Sequence, residues 1–120
     1  MNNWYKQAFD HHIENDYDRN FINSKIHKLD DLRDNLSKVV ESVYYDGTKS
    51  KEVLNAMLND KLLSSYDQIK RIISEAEYKA LDSPLITSDL CLSAIDMLDP
   101  IIYDLKQQRK EYASYSKGNE

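Results

Sequence analysis

Glycine and proline are almost missing from this chain: Gly47, Gly118, Pro84 and Pro100 are the whole set in 120 residues. Strand-rich and loop-rich folds need many more, because glycine supplies positive φ and proline presets the bend at tight turns. Few turns imply few, long elements. The apolar spacing identifies those elements as helices.

From Ile22 onward the apolar residues Ile22, Ile26, Leu29, Leu32, Leu36, Val40 and Val43 recur at three and four residues, along one helical face. Gly47 stands where a left-handed residue would end that helix. Upstream, Trp4, Tyr5, Ala8, Phe9, His12 and Ile13 form a second stripe. Asn15 and Asp18 look like a helix start, so a break near Asn15 is expected. After Thr48 and Ser50, both able to cap, a third stripe runs Leu54, Leu58, Leu62, Ile69, Ile72, Ile73, Ala76 and Ala80. It either continues unbroken or is interrupted between Asn59 and Ser65, where Ser65 and Gln68 have capping-box spacing. Asp82-Ser83-Pro84 ends it, since the residue before proline avoids the helical region.

The last stripe is expected to begin near Thr87 or Ser88 and to carry Cys91, Ala94, Ile95, Leu98, Ile101, Ile102, Leu105 and Tyr112. Pro100 lies inside it and costs about 3 kcal/mol in a helix interior. Either the helix kinks there, or Asp99 caps a fresh helix with Pro100 at its first position. The expected fold is therefore all-α: an antiparallel bundle of three long helices plus a short N-terminal helix. One domain should span 1–120, with 1–3 and 114–120 frayed.

Apolar residues at 41% and charged residues at 31% suit a globular chain. A net charge of -5, with arginine only at 19, 33, 71 and 109, argues against the basic patch a nucleic-acid binder needs. No stretch approaches the roughly 18 apolar residues of a membrane span, and Met1 to Asp10 lacks the pattern of a secretory leader. The single cysteine, Cys91, cannot form an internal disulfide. A cytoplasmic protein without membrane or nucleic-acid partners is expected.

Catalytic signatures are sparse. Two glycines this far apart cannot build a phosphate-cradling loop. One cysteine and three histidines do not supply a zinc set. Asp16, Asp18 and Asn20 resemble the start of a calcium loop, but Phe21 stands where glycine is needed and His27 where a bidentate glutamate is needed. His11, His12 and Glu14 beside Asp10 lack the Glu-x-x-His pairs of di-iron bundles, and read as a solvated face. Cys91, between Leu90 and Leu92, reads as a small core residue. The expectation is no enzyme, no cofactor and no metal.

Two faces are candidates for binding another protein. Projection at about 100° per residue puts Asp89, Leu92, Asp96, Asp99 and Tyr103 away from the core stripe of the last helix. No lysine or arginine occurs between Lys79 and Lys106. Apolar anchors ringed by carboxylates would give affinity and attract a basic partner. The structural alternative assigns Asp89 to the helix dipole, Asp99 to capping at Pro100 and Tyr103 to packing against the first helix. The secondary face is His27, Asp30, Asp34, Glu41 and Tyr45, for which plain solvation is the alternative. Lys106, Arg109 and Lys110 are expected to complement the negative end of the final helix.

These features point to a small binding protein that inhibits or neutralises a partner with a basic surface, of the immunity-protein, antitoxin or phage counter-defence type. The rival expectation is a homodimer or larger assembly of structural character, with Phe21, Val39, Val53, Met57 and Leu81 widening the apolar faces.

Overall fold

The computed structural model describes residues 3–118, with side chains described from Asn20 to Glu111. Four α-helices follow in order: α1 (Asn3–Ser42), α2 (Gly47–Leu58), α3 (Asp67–Lys79) and α4 (Pro84–Gly118), with a 3₁₀ turn at Lys61–Ser65. Contacts between neighbours run from α1 to α2, α2 to α3, α3 to α4 and α4 back to α1. The helices thus form a closed antiparallel ring around one core. α1 and α4, of 40 and 35 residues, reach about 60 and 52 Å, whereas α2 and α3 reach only about 18 and 20 Å. The short pair flanks one part of a long pair, and the molecule measures 65 × 22 × 18 Å.

The core follows the sequence stripes closely. Ile22, Ile26, Leu29, Leu32, Leu36 and Val43 of α1 meet Cys91, Ala94, Ile95, Leu98, Ile102 and Leu105 of α4, and all are buried. Leu54 and Met57 of α2 and Ile69, Ile73 and Ala76 of α3 close the other side. Two buried hydroxyls connect helices. Thr87 Oγ1 donates to the Ala76 carbonyl at 3.1 Å, and the Ser50 and Ser42 hydroxyls pair at 3.3 Å. Among the described residues no buried side-chain nitrogen or oxygen lacks a partner, as a low-dielectric core requires.

Several boundaries differ from expectation. No break occurs near Asn15: α1 runs unbroken from Asn3, because nothing before Gly47 is a glycine or proline and a few Asn and Asp residues cost a helix only tenths of a kcal/mol each. The third stripe does break. Asp60 accepts from Leu62 N at 2.9 Å to start the 3₁₀ turn, and Tyr66 at φ -130°, ψ 73° separates it from α3. Ser65 does not cap α3, whose cap residue is Tyr66 with no side-chain bond.

Gly47 is not a left-handed terminator. It has no positive φ and opens α2, where a Cβ would stand 3.0 Å from the Ala80 carbonyl. Asp46 caps α2 in place of Thr48 or Ser50, accepting from Lys49 N at 3.0 Å.

α4 starts at Pro84, not at Thr87 or Ser88. Proline suits a first helical position, and Ser83 Oγ accepts from Ile86 N at 3.4 Å. The helix then passes through Pro100 without restarting. The expected fraying at 1–3 and 114–120 falls on residues whose side chains, or whose whole placement, lie outside the described part, as does Tyr112 of the last stripe.

Candidate protein-binding surface

The antiparallel register of α1 and α4 can be read from two contacts between polar side chains. The Arg33 guanidinium donates from Nε to Asp99 Oδ1 and from Nη2 to Oδ2, and Arg109 donates to Asn23 Oδ1 at 3.3 Å. Moving ten residues back along α1 moves ten forward along α4. By this register Val40 lies level with Leu92.

Every residue of the expected α4 face is exposed: Asp89, Leu92, Asp96, Asp99 and Tyr103. Leu92 is 46% and Tyr103 62% accessible, so neither belongs to the core. Asp89 is the sixth residue of a helix starting at Pro84, beyond the first turn where the dipole acts. Among the described residues no ion pair engages Asp89 or Asp96.

Asp99 departs from the expected picture, since it pairs with Arg33 and caps nothing. That pairing raises the Arg33 pKa, chiefly through the hydrogen bond to Asp99 and its charge, with smaller help from Asp34 and Asp30 against the opposing effect of burial. Sequence projection saw α4 alone and could not supply a cation from α1.

The secondary face divides. Asp30 and Asp34 join the α4 face, lining an open groove of about 310 Å³ with Arg33, Asp99, Ile102, Tyr103 and Lys106. Glu41 and Tyr45 turn toward α2, beside Lys38, Lys49, Ser50 and Val53 in a groove of about 380 Å³. His27 is exposed and lies 3.8 Å from Asp31, one turn on. The two proposed faces are thus partly one surface, running along the outer seam of α1 and α4.

Sequence reasoning missed Leu85 and Ile86, which are 62% and 43% exposed. Starting α4 at Thr87 excluded both. The signal was present in Ser83-Pro84, a cap residue followed by proline, and a start there projects Leu85 onto the row of Leu92 and Tyr103. Lys106 and Arg109 do not serve the end of α4, which lies at Gly118; Lys106 lines the seam and Arg109 bonds Asn23.

The apolar residues expected to widen the faces do not make a stripe. Val39 and Met57 are core residues and Val53 is half-buried. Phe21 is exposed beside Leu62 and Ser65, whereas Leu81 is exposed beside Gly47, near the opposite end of the short helices. Cys91 is fully buried, and burial pushes its thiol up to about 12, so it is no nucleophile at neutral pH.

The described residues contain no cluster of three potential metal ligands, and no described helix is long and apolar enough to cross a membrane. The His11, His12, Glu14 and Asp10 group lies outside the described side chains. Asp16, Asp18 and Asn20 stand within the helical backbone of α1, not in a loop. No family model, curated protein or solved structure matches this chain.

Proposed function

We propose that this is a non-enzymatic binding protein that covers, and so inhibits or neutralises, a partner protein with a basic surface, using the outer seam of α1 and α4. Immunity proteins, antitoxins and phage counter-defence inhibitors act in this manner, and the cytoplasm is the expected place of action. The supporting observation is the exposed α4 row, in which Leu85, Leu92 and Tyr103 alternate with Asp89 and Asp96. Exposed apolar anchors supply affinity when a partner desolvates them, and carboxylates without a local cation accelerate encounter with a positive surface.

The same row disfavours the homodimer. An antiparallel copy of α4 would bring the Asp89 and Asp96 carboxylates of both chains together, and like charges across an interface cost several kcal/mol. The test is affinity capture by the intact chain and by the Asp89→Lys, Asp96→Lys double variant, beside light scattering of each alone. A dominant protein captured by a monomeric chain, lost with the double variant and functionally suppressed on binding, is the expected result. Stable self-association with no such protein would sink the reading in favour of the assembly alternative.

A further inference from the structure

We propose that the outer seam of α1 and α4 receives a basic amphipathic α-helix of the partner; this rests on the binding reading above and specifies what the seam accepts. Both walls of the seam are α-helices whose own peptide groups are consumed internally, so neither offers the free donors and acceptors that a sheet edge gives an extended peptide. An extended segment buried there would leave its peptide groups without partners, whereas a helix arrives with them already satisfied.

Leu85, Leu92 and Tyr103 project within about 20° of one another on α4. They span about 27 Å, or five turns of a partner helix; α1, which ends at Ser42, walls the row from Leu92 onward, and Leu85 extends past it. The separation of seven residues from Leu85 to Leu92 is the repeat at which two packed helices meet again on the same side. Partly buried Val40 lies level with Leu92, so an apolar side chain set between the helices meets carbon from both walls.

Asp89 stands beside the apolar row and Asp96 within it, between Leu92 and Tyr103; Asp30 and Asp34 line the α1 side near Tyr103, and Arg33 is already engaged by Asp99. Lysines or arginines bordering the partner's apolar stripe would meet these carboxylates as flanking charges do between paired helices. At the far end of the seam stands Lys106, so the partner helix is basic over Asp89 to Asp99 and not beyond.

The probe is a synthetic peptide of about 21 residues, leucine at heptad-spaced positions and lysine beside them, titrated against the full-length protein by fluorescence anisotropy. Two companions carry glutamate for lysine, or two central prolines at unchanged charge and leucine content. The lysine helix should bind, and Leu92→Ala or Asp96→Lys should each weaken it by about tenfold or more, while Leu81→Ala leaves it unchanged. Circular dichroism should show the same fold in all three proteins, as these side chains are exposed.

Equal binding of the proline-broken and intact peptides would overturn the helical occupant while leaving an acidic binding face. Indifference to Asp89→Lys, Asp96→Lys and the glutamate peptide together would remove the acidic face as well. Loss on Leu81→Ala with no effect of Leu92→Ala would move the site off the seam and overturn the proposal.

Discussion

Leu92 and Leu98 stand six residues apart on α4, chemically identical and in equally regular helix, yet Leu98 is fully buried and Leu92 is 46% exposed. The difference lies in what each side of the helix faces. Inward, α4 meets α1 and α3, and the ring buries Cys91, Ala94, Leu98 and Ile102. Outward no further helix among the described residues covers it, and the same helix presents leucines and a tyrosine to solvent between carboxylates. Apolar residues on the sealed side hold the core together; those on the open side bury much less of their surface and are the ones the binding proposal uses.

The strongest way to break that contrast is truncation on both sides. Leu98→Ala should destabilise the protein by about 2–5 kcal/mol, as other buried leucines do, and Leu92→Ala by about 0.5 kcal/mol or less. Urea denaturation measures both, and equal losses would mean that Leu92 is structural after all.

A smaller effect sharpens where the sealed region ends. Gly47 approaches α3's last turn so closely that Gly47→Val, with a branched side chain against the Ala80 carbonyl, should cost about 1–3 kcal/mol. A thermal melt showing no loss would mean that this end of the ring is loosely packed.

Cys91 reports on the sealed side through pH. Its folded pKa of about 12 exceeds the 9.0 of an exposed thiol, so the folded state binds the proton more tightly than the unfolded state. The associated stability is complete below pH 9 and is lost as pH rises toward 12. Each unit in that window should remove about 1.4 kcal/mol more from the native chain than from Cys91→Ala, as read by urea titrations at pH 8 and 10. Matching slopes would mean that the thiol is solvated.

The smallest effect belongs to the open side. Arg33 and Asp99 are 38% and 48% exposed, and a double-mutant cycle with Arg33→Ala and Asp99→Ala should give a coupling of about 1 kcal/mol or less. A larger coupling would make the pair a structural clamp on the seam.

Most residues of the helical stripes were legible, but within regular helix Met57 and Val39 are core where the sequence favoured Leu58 and Val40. The exceptions have a common cause in phase. Sequence placed Leu62 in the core, but α2 ends at Leu58 and extended, capping Asp60 resets the phase before the 3₁₀ turn, so Leu63 is the buried one. Val39, not Val40, is fully buried, because it follows Leu32 by one heptad in the seam of long packed helices. The α4 face was legible as a projection, except for Leu85, hidden behind a proline read as an end when it is a beginning.

By itself the sequence determined the helical class, most of the core and the exposed acidic row, because periodicity and the lack of turn residues act within a few residues along the chain. Tertiary structure alone decided which faces adjoin. Arg33 neutralises Asp99 across 66 positions of sequence, Asp30 and Asp34 join Tyr103, and Gly47 fits against Ala80. Such contacts depend on helix register and packing distance, which no one-helix projection contains.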